Sequence, residues 1–278
     1  MLVDDVKRWY PWRWGSCPWT PDLIDGGRRS YCRERITMSS ETSPYGRLDL
    51  VWLVFLTVVG SMLSAILATS VFDLSVFLSG LLCVGLIAIG RREGYLIGLY
   101  NSLSYSILAY GNGLYGEVYL NLLFFVPTGI VGYVMWQRHT TPGKTVVMRQ
   151  MNWPRRVFIA AVCIVCTVGL GLILGLNPNQ NTPFIDATTN VVSIVATFLM
   201  MWRYKEQWLL YIMLNVITIV MWILRVRAGG ESGDLMVLMW SLFLLNAVFG
   251  YWRWHMGSKR ATAIDVYQSV GKATCDVA

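Results

Sequence analysis

The sequence predicts an all-α integral membrane protein of 3+1+3 architecture. Two parallel three-helix-bundle repeats are joined by a linker helix, with one extra N-terminal transmembrane helix before them. Three observations predict this. Of 278 residues, 55% are hydrophobic and 14% charged, with Lys and Arg almost wholly on one side of the apolar runs. A soluble domain carries about 25% charge, and mean hydropathy here is +0.49. Three late apolar runs also repeat the motifs of three earlier ones. Disorder is excluded by the apolar content. The 6 Cys and 25 Gly, without a period, exclude disulfide scaffolds and collagen.

A bilayer core of roughly 30 Å is crossed by about 20 apolar residues in a helix. Eight runs qualify: Leu50–Ala68, Leu74–Gly90, Tyr95–Tyr110, Tyr115–Trp136, Val157–Leu176, Pro183–Trp202, Trp208–Leu224 and Asp234–Trp254. None has a Lys or Arg in its interior. They are continuously apolar rather than alternating, which excludes a barrel. The first is the extra helix. The second and third are short and glycine-bearing. The fourth carries Pro127, which permits a kink. The fifth is the linker, because two co-oriented triplets need one helix to reset direction. The expected divisions are an arm over 1–49, the extra helix over 50–69 and the first repeat over 70–139. A link and linker helix over 140–181, the second repeat over 182–256 and a tail over 257–278 follow.

Of 23 Lys and Arg, all but Arg225 and Arg227 lie before the first run, at or beyond the end of the eighth, or in the links 91–94, 137–156 and 203–207. Both termini are therefore expected in the cytoplasm. The net charge of +7 is a topological signal; the lipid bilayer is the expected partner and nucleic acid is not. The arm sets Trp9, Tyr10, Trp12, Trp14 and Trp19 among Arg residues without an apolar stretch. It reads as a surface arm or a dispensable extension rather than a signal peptide. The cysteines are isolated, and His139 and His255 each end a span without a third ligand nearby. No metal or cofactor is expected.

The repeat is visible in short motifs. Gly132-Tyr133-Val134-Met135-Trp136 ends the fourth run, and Gly250-Tyr251-Trp252-Arg253-Trp254 ends the eighth. Arg92-Glu93-Gly94-Tyr95 precedes the third, and Lys205-Glu206-Gln207-Trp208 precedes the seventh. Glu93 to Gly132 is 39 residues and Glu206 to Gly250 is 44, a difference that the 225–233 link absorbs. Parallel repeats related by an axis along the membrane normal are a transporter architecture, SWEET-like, with substrate between the repeats near mid-membrane.

Polar residues mark a path. Trp208, Tyr211, Asn215, Thr218 and Trp222 are spaced 3, 4, 3 and 4 and share one stripe. An amide in hydrocarbon must face protein or a cavity. Asn101 and Tyr105 form a second stripe; Asn121, Phe124 and Thr128 form a third. Asp186, Asn190, Ser193 and Thr197 suit close helix packing instead, and Trp240, Phe243 and Asn246 lie on one side of the last run. No ionisable group lies deep in a span, which argues for uncoupled transport and against a membrane enzyme. Aromatics with amides suit a flat ring bearing hydroxyl or amide groups, and tryptophan faces attract a cationic one.

Asp186-Ala187-Thr188-Thr189-Asn190, Glu206-Gln207-Trp208-Leu209-Leu210-Tyr211 with Asn215, and Asn121 through Pro127 into Gly132-Tyr133 and Trp136 together resemble the PnuC family of bacterial vitamin transporters. The resemblance covers about residues 70–256. It implies the 3+1+3 fold, usually as a homotrimer, and no catalysis. It also implies facilitated diffusion of nicotinamide riboside, trapped by cytoplasmic phosphorylation. Trp208, Tyr211, Asn215 and Trp222 then fall in the binding region, with Asn101, Tyr105, Asn121 and Phe124 opposite. The family often has Gln where this chain has Gly129, and the long arm is not a family hallmark. Thiamine or riboflavin as cargo, or a membrane protein that transports nothing, are the alternatives.

Overall fold

Helices form over every apolar run. α1 spans Gly46–Leu67, α2 Val71–Ala88, α3 Glu93–Gly111, α4 Tyr115–Leu120, α5 Val126–Gln137, α6 Trp153–Leu174, α7 Pro183–Met201, α8 Gln207–Arg227 and α9 Gly233–Asp276. A π-helical turn, Asn121–Phe125, joins α4 to α5, so the fourth run is one helix with one wide turn. The computed structural model describes residues 46–67, 70–111, 115–141, 144–176, 183–227 and 233–276, all within the compact unit Thr42–Ala278. The expected arm, apart from residues 46–49, lies outside the described residues.

Six of these helices are long and apolar enough to cross a membrane: α1, α2, the fourth run as Val118–Gln137, α6, α7 and α8. This is a multi-pass membrane protein. In α3, Asn101, Ser102, Ser104 and Ser106 dilute the apolar content. Among the described residues there is no strand, only two isolated bridges. Ser70 caps α2, its hydroxyl accepting from the Asp73 amide at 3.1 Å. Pro154 sits in the first turn of α6, where its missing N–H leaves no bond unmade. α9 continues 22 residues beyond Trp254 instead of giving way to a tail. No proline follows to stop it.

α1 packs on α2, α2 on α3, and α3 on the π turn and α5. In the second half α6 packs on α7, α7 on α8 and α8 on α9. Across the two halves α2 meets α9, and α5 meets α7. Phe158, Ile164, Val165 and Leu172 of α6 are exposed, as suits a surface that lipid covers.

The Lys- and Arg-rich ends of the helices gather at one end of the bundle. There the segment between α5 and α6 forms a strap. The Val146 amide donates to the Gly90 carbonyl at 2.9 Å, and the Arg149 amide to the Arg203 carbonyl at 2.8 Å. Lys205 returns a bond to Arg149 at 2.9 Å. Gly90 and Arg203 hold the equivalent place after α2 and α7, and both have left-handed backbone, φ 78° and 65°. Val146, Met148 and Met151 point inward and are buried.

Candidate functional site

Where the two sets of helices meet they leave a cavity of about 290 Å³. Six aromatic rings line it (Tyr95, Phe125, Trp208, Tyr211, Trp240 and Phe243), with Asn101, Asn121, Asn215 and Asn246. The hydroxyls of Ser102, Thr128, Ser193 and Thr197 complete the polar wall, and no lining side chain is charged.

The basic end of the cavity is closed by a paired aromatic cluster. Trp136 and Trp254 are fully buried, their ring centroids 5.5 Å apart. Tyr95 stands edge-on to Trp136 at 5.1 Å, and Trp208 edge-on to Trp254 at 6.2 Å. The Trp136 indole donates to the Met200 carbonyl at 3.0 Å. The Trp254 indole donates to the carbonyls of Ala88, at 3.0 Å, and Ile87. Trp136, at the end of α5, thus binds the end of α7, and Trp254, within α9, binds the end of α2. Gly132 and Gly250 make this possible. A Cβ would lie 2.4 Å from the Tyr95 ring at the first and 2.7 Å from the Trp208 ring at the second.

Hydrogen-bond accounting shows what the walls can offer a ligand. The Tyr95 hydroxyl and the Trp208 indole N–H are buried without a partner among the described residues, an arrangement unfavourable by about 1–3 kcal/mol each unless something binds there. The amide nitrogen of Asn101 gives both hydrogens away, to the Val76 carbonyl at 2.7 Å and the Ser79 hydroxyl at 3.0 Å. Its oxygen remains as an acceptor. Tyr211 and Thr197 hydroxyls lie 3.4 Å apart. Thr128 and Thr197 bond back to their own helices.

Beneath the cluster, outside the spans, lies a charged layer. Glu206 pairs with Arg156 at 2.9 Å and accepts from the Met151 amide at 3.2 Å. Lys205 donates to Gln150 at 2.7 Å and to Nδ1 of His255 at 2.8 Å. Burial, with Lys205, Lys259 and Arg156 nearby, holds the His255 imidazole below its usual range. Burial also lowers Lys205.

Of the residues expected on the path, Trp208, Tyr211, Asn215, Asn101, Asn121 and Thr128 come together on the cavity wall. Thr218, Trp222, Tyr105 and Phe124 do not line it. Thr218 bonds back to the Leu214 carbonyl. Phe124 turns towards Phe198, with centroids 5.9 Å apart, and Phe125 takes its place on the wall. Asn121, Phe125 and Thr128 are spaced 4 and 3, as helical as the expected 3 and 4, so spacing alone does not choose between the two rings. Tyr95 was within reach of sequence, since it occupies the place of Trp208 in the repeat. Cys83, Val84 and Ile87 of the wall carry no signal in a uniformly apolar run.

The family described as nicotinamide mononucleotide transporter matches residues 70–256. The nicotinamide riboside transporter PnuC of Neisseria mucosa is 34% identical over 66% of this chain and 71% of its own. That of Haemophilus influenzae is 30% identical over 66% of this chain and 78% of its own. A crystal structure of the vitamin B3 transporter PnuC superposes with TM-score 0.67 and 30% identity, covering 82% of this chain and 97% of that one. With its matched region spanning every helix that lines the cavity, the chain belongs to the PnuC family, a family of membrane transporters and not of enzymes.

Proposed function

We propose that this chain carries nicotinamide riboside across the bacterial cytoplasmic membrane by facilitated diffusion, with both termini inside and phosphorylation in the cytoplasm trapping the cargo. The observation that carries this reading is the uncharged cavity ringed by aromatics and amides. A pyridinium ring gains from tryptophan and tyrosine faces, and its carboxamide and ribose hydroxyls match the amides and the unpartnered Tyr95 and Trp208 donors. The relatives' names point to the riboside and the family description to the mononucleotide. The cavity favours the riboside, because a phosphate buried without Lys or Arg is strongly unfavourable.

The 3+1+3 arrangement is part of the proposal. It is supported by the reciprocal tryptophan bonds and by the crossed contacts of α2 with α9 and α5 with α7. In it α6 is the linker, α1 the extra helix, and the halves rock to alternate access. The contacts with cargo are assigned to Trp208, Tyr211, Asn215, Asn101, Asn121 and Thr128. Assembly as a homotrimer follows from the family resemblance. A second reading, transport of thiamine or riboflavin, is favoured by Gly129, which lines the cavity where the family often carries Gln.

Calorimetry on the purified protein with nicotinamide riboside, nicotinamide mononucleotide, thiamine and riboflavin tests the reading. Binding of the riboside alone is the expected result, and binding of thiamine or riboflavin alone supports the second reading. Uptake into proteoliposomes continues when a protonophore collapses the proton gradient, and falls in Trp208→Ala.

A further inference from the structure

α1 lies outside the matched family region, yet one of its side chains bonds to a residue of the cavity wall. The Trp52 indole N–H donates to Oδ1 of Asn246 at 3.0 Å. Nδ2 of Asn246 donates to the Val84 carbonyl of α2 at 2.9 Å. An indole N–H only donates and a carbonyl only accepts, so the two partners fix which end of the amide is which. One amide N–H and one oxygen lone pair remain on a side chain that lines the cavity. Trp52 is itself held in place. It stacks on Phe249 at 4.3 Å, and one turn below it Asp49 makes a buried two-point bond to Arg253, at 2.8 and 3.1 Å. Leu53 and Leu56 of the same helix close on Gly85 of α2.

We propose that α1 is part of the substrate site. Trp52 is a positioning residue that pins the Asn246 amide so that its second N–H meets an acceptor on the cargo, a carboxamide or hydroxyl oxygen. Two anchors on different atoms of one amide fix its plane. With one removed the amide pivots about the Val84 bond, and its orphaned oxygen turns away from protein. This rests on the reading of the cavity as a vitamin site, and it adds to that reading a residue beyond 70–256.

The test is a double-mutant cycle of Trp52→Phe and Asn246→Ala in the purified full chain. Phe keeps an aromatic ring against Phe249 and removes the N–H together with part of the indole's bulk, a packing loss common to both backgrounds that the cycle cancels. Dissociation constants are measured for nicotinamide riboside, thiamine and riboflavin, and the cycle is read with whichever binds. Trp52→Phe weakens binding about fivefold in the native background, and changes it less than about twofold when Asn246 is already Ala. The melting temperature of Trp52→Phe stays near that of the native chain. An equal loss in both backgrounds, or no loss in the native one, overturns the inference and leaves the substrate reading standing. A native chain that binds none of the three overturns both.

Discussion

Asn215 is buried on the cavity wall, with no hydrogen bond among the described residues. An amide in that state adds nothing to the fold that solvent or cargo does not supply, so removing it separates binding from stability. Asn215→Ala is expected to weaken cargo binding by about tenfold, the loss of one good hydrogen bond or two weak ones, with an unchanged melting temperature; calorimetry and thermal unfolding check the two halves of that statement. Gly250 is the opposite case. Its absent Cβ is where the Trp208 ring lies, so Gly250→Ala should both destabilise the protein, by about 1–3 kcal/mol, and lower affinity by displacing the ring. The amphipathic spacing of α8 made Trp208, Tyr211 and Asn215 legible from sequence, because an amide between aromatics stands out in an apolar helix. Asn246 was visible in the same way, but its partners Trp52 and Val84 were not, since they lie 194 and 162 residues away.

At the scale of an element, the π turn Asn121–Phe125 carries both candidate rings of the fourth run, and Phe125 is the one on the cavity wall. Nothing in a single sequence distinguishes the 3.6 residues of an α turn from a wider π turn, and from Asn121 to Thr128 spacings of 3 then 4 and of 4 then 3 both keep one face, so Phe124 and Phe125 were equally open. Deleting Leu123, an exposed residue inside the turn, should restore ordinary helical register. Phe125 and the segment after it then rotate relative to Asn121, and uptake is expected to fall at least tenfold while the protein still inserts; proteoliposome uptake against surface expression is the measurement. The apolar runs themselves were legible to within a few residues, because twenty apolar positions in a row have few other uses. The helical continuation of α9 past Trp254 was not, since it depends only on the absence of a stop.

Across the whole molecule, the charge layer under the cavity gives the fold a pH dependence. His255 accepts from the Lys205 ammonium, so its Nδ1 must be unprotonated there. Burial and the cations Lys205, Lys259 and Arg156 lower its affinity for a proton in the folded state relative to 6.5. The unfolded chain therefore binds more protons below that value. Stability should be level above about pH 6.5 and decline as pH falls through it. The decline should be shallower in His255→Gln, by thermal unfolding over that interval. The proposed repeat rests on the motifs Glu-x-aromatic, at Glu93 and Glu206, and Gly-Tyr-x-x-Trp, at Gly132 and Gly250. Sequence could not show that Trp136 reaches the Met200 carbonyl or that Trp254 reaches that of Ala88, since a recurring motif says nothing about what its side chains touch.

The strap at the basic end is tied to Gly90 and Arg203 by main-chain hydrogen bonds, so that tie does not itself depend on which side chains the strap carries. A saturation scan over 144–151 should read like a comb. Val146, Met148 and Met151 are the teeth, intolerant of polar replacements because they point inward. Lys144 and Val147 are the gaps, while Gln150 accepts from the Lys205 ammonium. Proline at 146 or 149 would fail irrespective of side-chain chemistry, for it deletes a donor. Relatives of this chain could thus rewrite half of that stretch and still keep the two lobes laced together.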